Sequence, residues 1–227
     1  TIAPLLDQVD GARRLRCLEE PVGLTYRPDK WEVSEVVRDW HDIHVPPDAP
    51  PGQYEILLEV LTTGKTIGEV SLGHLEIQGR PRQFAAPEIQ QPLEARVGEG
   101  VLFLGYDIGS DEVRPGDALQ LTLYWQARDE MQLSYTVFTH LLDAEEHVWG
   151  QTDSIPLRGE APTTSWVSGE VIADRYDIIV APDAPPGDYV FEIGMYDATT
   201  GRRLPVSADG LRAEGDRLLL GEVKILP

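Results

Sequence analysis

Residues 31–60 read WEVSEVVRDWHDIHVPPDAPPGQYEILLEV, and residues 166–195 read WVSGEVIADRYDIIVAPDAPPGDYVFEIGM. At a constant offset of 135, Trp31 matches Trp166, Glu35 matches Glu170, Val36 matches Val171 and Asp39 matches Asp174. Asp42 and Ile43 match Asp177 and Ile178 in the same way. Both stretches then carry Pro-Asp-Ala-Pro-Pro-Gly, at 47–52 and 182–187, followed by Tyr54 and Tyr189. Working outward, Leu5-Leu6-Asp7 matches Leu141-Leu142-Asp143, Thr62-Thr63-Gly64-Lys65 matches Thr199-Thr200-Gly201-Arg202, and Leu72-Gly73 matches Leu220-Gly221. An ordered series of this length marks a duplicated module, the feature that decides a fold before any local reading does.

The module reads as β structure. Leu119, Leu121, Leu123 and Trp125 alternate with Gln120, Thr122, Tyr124 and Gln126, the period-2 signature of a half-buried strand. Tyr189, Phe191, Ile193 and Met195 form one face opposite Val190, Glu192 and Gly194, and the first copy repeats this with Tyr54, Ile56, Leu58 and Val60 facing in and Glu55 and Glu59 facing out. In Tyr135–Leu142 both alternating sets are partly apolar. Arg114-Pro115-Gly116-Asp117 and Ala184-Pro185-Pro186-Gly187 supply turns, and no segment shows a capped helical stripe. The expected fold is all-β: tandem immunoglobulin-like or jelly-roll sandwich modules, a partial first copy at 1–80 and a complete second copy at 81–227. Strand-forming sequence ahead of Leu141 has no counterpart ahead of Leu5, so the first copy is expected to lack its opening strands. Either the chain is cut inside a module or another segment completes it. A partial sandwich exposes strand edges and apolar surface, so a homodimer or strand exchange through the first copy is expected unless the two copies cover each other.

Composition excludes several function classes. The 227 residues carry 19 basic and 39 acidic side chains, a net charge of −20, which repels phosphate backbones and argues against nucleic acid as a partner. It argues equally against anionic lipid, and no apolar run is long enough to span a bilayer, so no membrane contact by this fragment is expected. One cysteine, Cys17, allows no disulfide within the chain. The absence of Asn fits a thermophilic source, while a GC-rich genome would give the same preference for Arg over Lys. The first residues show neither an initiator Met nor a signal sequence, so the chain is expected to be part of a longer protein.

Site candidates follow from residue type. Asp48, Gly52 and Tyr54, with Asp183, Gly187 and Tyr189, are expected to be structural: the turn feeds a core strand and the Tyr hydroxyl bonds back to turn backbone, as in a tyrosine corner. His41 and His44 resemble a zinc pair, but three positions apart on a strand they face opposite ways, so no metal site is expected. Acidic loops at Asp107, Asp111, Glu112 and Asp117, and at Asp143, Glu145 and Glu146, are solvated turns by default, with calcium as the other reading. No nucleophile motif, metalloprotease motif or phosphate loop occurs, so no catalytic residue and no cofactor are expected. A binding role rests on Trp149, Gln151, Asp153, Thr164 and Trp166, where aromatic faces and polar groups suit a glycan or cell-surface polymer. That strand differs between the copies, Trp149 and Gln151 standing against Arg14 and Arg16.

A further pattern runs through Leu104-Gly105-Tyr106-Asp107, Pro115-Gly116-Asp117, Leu121-Thr122-Leu123-Tyr124-Trp125-Gln126, His140-Leu141-Leu142-Asp143, Pro162-Thr163-Thr164-Ser165-Trp166 and Met195-Tyr196-Asp197. It resembles the repeated β-sandwich module that follows the membrane part of bacterial family-39 (protein mannosyltransferase-like) glycosyltransferases. The resemblance implies an extracytoplasmic, non-enzymatic accessory domain tethered through a membrane region outside this chain, and no catalytic residue of the transferase carries over. The expected function is carbohydrate binding or scaffolding for a glycan-processing protein. The other reading is an inhibitor-like or protein-interaction sandwich gripping a partner by an edge strand or loops.

Overall fold

The computed structural model describes residues 2–8 and 14–16 as backbone, and residues 26, 30–43, 45–62, 65–208 and 213–227 with their side chains. Cys17 and His44 lie outside the described residues. The chain divides into two compact units, Thr1–Pro81 and Arg82–Pro227. Its regular structure is almost entirely strand, and no helix among the described residues is long and apolar enough to cross a membrane.

The first unit contains β1 (Ile2–Gln8), β2 (Arg14–Arg16), β3 (Gly52–Thr62) and β4 (Lys65–Ile77). These form one antiparallel sheet in the order β2-β1-β3-β4. Among its described residues, Tyr54 is fully enclosed, with Ile43, Ala49, Ile56, Leu75 and Ile77 packed against it. Cover runs out along the same face of β3, since Val60 is 38% exposed and its neighbour Val70 on β4 is 52% exposed. Glu59, expected to face out, is instead buried, and Val60, expected to face in, is exposed. Burial along β3 passes from Tyr54 to Leu57 and Glu59, out of step with a strict alternation, where the register against β4 shifts between Ile56 and Leu57; which residues are covered is a tertiary fact.

The second unit contains β5 (Gln91–Val97), β6 (Val101–Ile108), β7 (Glu112–Val113), β8 (Ala118–Ala127), β9 (Tyr135–Leu142), β10 (Val148–Gln151), β11 (Val171–Ile179), β12 (Gly187–Asp197), β13 (Val206–Ser207), β14 (Ala213–Glu214) and β15 (Arg217–Ile225). One sheet runs β10-β9-β12-β15-β14 with β7 added in parallel beside β15; the other runs β11-β8-β6-β5-β13. Leu119, Leu121, Leu123 and Trp125 of β8 meet Tyr189, Phe191, Ile193 and Met195 of β12 in a single core, the two alternating faces read from the sequence. Stacking two sheets removes both apolar faces from water, which an isolated sheet cannot do. Gly194 is required within β12: a Cβ there would lie 2.5 Å from the Phe138 ring, which crosses over it from β9.

The two units share detail beyond strand order, for β2-β1-β3-β4 and β10-β9-β12-β15 have the same antiparallel arrangement. Trp31 Nε1 donates to Tyr26 O, and Trp166 Nε1 donates to Ala161 O, 135 positions on. Glu35 accepts from its own turn at Glu32 N, and Glu170 does so from Val167 N. Tyr54 Oη donates to Pro50 O and Tyr189 Oη to Pro185 O, each at 2.8 Å. The Pro-Pro-Gly-x-Tyr element is therefore a tyrosine corner in both units. Its glycines differ, since Gly52 has φ +148° while Gly187 is absent from the positive-φ glycines.

One stretch departs from this parallel. Residues 36–43 match β11 in sequence but belong to no strand, whereas β11 pairs with β8 along its full length. His41 therefore lies on no strand, and strand geometry does not set the direction of its side chain. His41 instead lies beside Asp39, Nε2 to Oδ2 at 2.9 Å.

Candidate functional site

The residues expected to bind a glycan do not converge. Trp166 is fully enclosed in the core and offers no ring face to a ligand. Trp149 is half-buried and held by its indole N–H, which donates to Asp143 Oδ2 at 2.7 Å. Asp143 is the hub of its hairpin turn, also accepting from the backbone of Glu145 and His147, and the bonds from Trp149 first and then His147 hold its carboxyl below the usual range. Thr164 lies in a short 3-10 turn, Thr163–Ser165, and Gln151 is exposed at the end of β10. Asp153 turns toward His140 rather than toward Trp149.

Other acidic candidates are similarly engaged. Asp107 accepts from Tyr124 Oη and from Gln90 N, each at 2.7 Å, and burial together with that hydrogen bond pushes the Tyr124 phenol up to about 12. Glu146 pairs with Arg217. Among the described residues no group of three or more His, Cys, Asp or Glu side chains is placed to hold a metal ion.

Two polar clusters stand apart from the expected site, the first created by the pairing of β9 with β12 and the second by β11 and the turn at Pro156–Gly159. His140 on β9 stands opposite Glu192 on β12, Nδ1 to Oε2 at 2.7 Å, with Asp153 at 3.5 Å from Nε2. Arg203 and Arg217 also reach Glu192, at 3.0 and 3.4 Å, and the Arg203 guanidinium lies 4.1 Å from the Phe138 ring centre. The carboxylates, Asp153 first and then Glu192, push His140 up to about 9 against the opposing effect of burial. Burial would raise Glu192, but its bonds to His140 and Arg203 outweigh that and hold it at about 2. The cluster is a closed, charge-matched network on the outer face of its sheet.

The second cluster is buried. Asp174 accepts from Tyr176 Oη at 2.6 Å and from Leu157 N at 2.9 Å, and burial raises its carboxyl despite both bonds. Leu157 and Arg158 both have positive φ, 52° and 55°, ahead of Gly159 at 95°. Non-glycine residues in that region cost roughly 1–3 kcal/mol each, so the surroundings must hold this turn in place. Asp174 anchors it.

One opening of the second unit lies among the connections between its strands. A cleft of about 470 Å³ is formed by the Val97–Val101 turn, by residues 129–133 with Tyr135, and by Leu204 and Pro205. Its walls are tied together by backbone bonds from Gly98 N to Pro205 O and from Arg128 N to Gly100 O, each 2.8 Å. Thr163 Oγ1 fixes the third wall, donating to Leu133 O and accepting from Tyr135 N. Met131, Leu133, Leu204 and the Tyr135 ring supply apolar surface, and exposed Glu99, Asp129, Glu130 and Gln132 stand at the rim. Such a cleft can hold a ligand with one apolar face and several hydrogen-bond donors. No sequence motif marks it, because its walls come from three separate connections. No protein-family model matches the chain, and no curated protein matches it.

Proposed function

We propose that the chain is a non-catalytic, extracytoplasmic accessory module of a membrane-anchored glycan-processing protein, and that its second unit binds carbohydrate at the loop-end cleft. The observation that carries this reading is the combination of apolar floor and acidic rim in a prebuilt opening. A sugar ring presents C–H faces that pack on Tyr135, Met131 and Leu133, while its hydroxyls donate to Glu99, Asp129 and Glu130. The buried carboxylates of this unit, Glu170, Asp174 and Glu192, are each engaged by side chains of the fold itself. Localisation and the membrane tether rest on the resemblance of the module to the family-39 type.

A glycan array tests the reading. The wild-type chain binds a subset of glycans, the Glu99→Ala/Gln132→Ala variant loses that binding at least tenfold, and Trp149→Ala retains it. Glycan binding that survives the double substitution removes the cleft from the proposal. A second reading is favoured by Val33, Val36 and Trp40 of the first unit, exposed by 99%, 94% and 83%. An apolar group of this kind suits a protein partner. Specific capture of one protein, abolished by Trp40→Ser and unaffected by glycans, supports that reading over the first.

A further inference from the structure

The walls of the cleft carry charge of one sign. Glu99, Asp129 and Glu130 line it, and among the described residues no Lys, Arg or His does. All three carboxylates are on exposed residues, and none forms an ion pair among the described residues. Asp129 Oδ1 accepts from the backbone of Glu130 at 2.8 Å, which fixes its direction without neutralising it. Carboxylates elsewhere in the unit are matched: Glu192 by Arg203 and Arg217, Glu170 by Arg82, and Glu146 and Glu214 by Arg217. Positive charge is available nearby but lies outside the cleft. An adjoining opening of about 400 Å³, which shares Gly98, Glu99, Val101 and Asp129 with it, contains Arg96 and Arg128. A concave wall of one sign beside apolar surface focuses the field and gathers ions of the other sign.

We infer that the cleft selects an ammonium-bearing sugar, a hexosamine unit whose amino group is free rather than acylated. The inference rests on the carbohydrate reading above and narrows it. The C–H face of the ring packs on Met131, Leu133 and Tyr135, and the ammonium donates to the carboxylates of Glu99, Asp129 and Glu130. The Tyr135 ring adds attraction for a cation over its face. One exposed ion pair contributes little, but three carboxylates on one concave wall act on the same cation. An acylated amine is neutral and gains none of this, and a sugar carrying a carboxylate or sulfate is repelled.

Calorimetric titration of the 227-residue chain with a glucosamine tetrasaccharide and with its fully N-acetylated counterpart tests the inference, at mildly acidic pH where the free amines are protonated. The free-amine oligomer binds roughly tenfold more tightly, and added salt narrows the difference. Glu99→Gln with Asp129→Asn and Glu130→Gln keeps the shape and the hydrogen-bond acceptors and removes the charge. In that variant the two oligomers bind equally, at the affinity of the acetylated one. Equal affinity in the wild-type chain, binding of neither oligomer, or a preference that survives the triple substitution overturns the inference. In those cases a glycan array that still shows binding keeps the broader carbohydrate reading, and an array without a binder overturns both. A trilysine peptide that binds as tightly as the free-amine oligomer, and is lost in the same variant, also overturns the inference by making the cleft a site for cationic peptide.

Discussion

Single residues in this protein are decided by what surrounds them. Tyr189 is 2% exposed and Tyr54 is fully buried, and each spends its hydroxyl on the carbonyl of the residue four positions earlier. The turn Pro-Pro-Gly-x-Tyr announces this in the sequence, because a sharp turn before a core strand leaves a carbonyl within reach of the ring oxygen. Tyr189→Phe keeps the ring and removes the bond, so a loss of about 1 kcal/mol is expected in urea unfolding of the second unit. Trp166→Ala empties a fully buried site and costs about 4 kcal/mol in the same measurement. Residue type alone suggested the opposite for Trp166, since an aromatic side chain serves a core and a sugar equally well. Its counterpart Trp31 makes the same backbone bond yet stays partly open, so even the indole bond does not determine burial.

At the scale of elements, the pairing of β9 with β12 creates an ionic network around Glu192. His140 and Glu192 are 52 positions apart, and adjacency comes from register, which the sequence does not state. The network has a definite pH signature. Protonated His140 stabilises the fold fully below its ordinary value of 6.5, and that contribution disappears as pH rises through about 9. Ionised Glu192 contributes fully above its ordinary 4.5 and ceases to contribute as pH falls through about 2. The melting temperature should therefore hold steady between these ordinary values as far as this network is concerned, and decline on the alkaline side toward pH 9. His140→Ala is expected to lower the plateau and flatten the alkaline decline. A decline of unchanged shape in that variant would assign the alkaline sensitivity to another group.

Across the whole molecule the contrast is between the two stacked sheets of the second unit and the four-stranded sheet of the first. The core of the second unit is built from both of its sheets, while among the described residues of the first the buried apolar side chains are Tyr54 and Leu57. Stability follows buried apolar area, so the two units should not unfold together. Amides of β8, β11 and β12 are expected to exchange at least a hundredfold more slowly than those of β3 and β4, and limited proteolysis should cut the first unit before the second. Equal protection in both units would mean that the face carrying Val60 and Val70 is covered in solution.

The sequence by itself determined the period-2 strands, the turns that separate them, the tyrosine corners and the correspondence at an offset of 135. All of these are local in origin: side-chain alternation, fixed proline torsions and a tyrosine four residues from its acceptor. Only the tertiary structure decided that Glu59 is buried and Val60 exposed, that Trp166 is core, and that the cleft gathers residues 97–101, 129–135 and 204–205. Residues 36–43 and β11 mark the line between the two. Nearly the same sequence forms a strand in one unit and not in the other, because a strand's hydrogen bonds belong half to its neighbour.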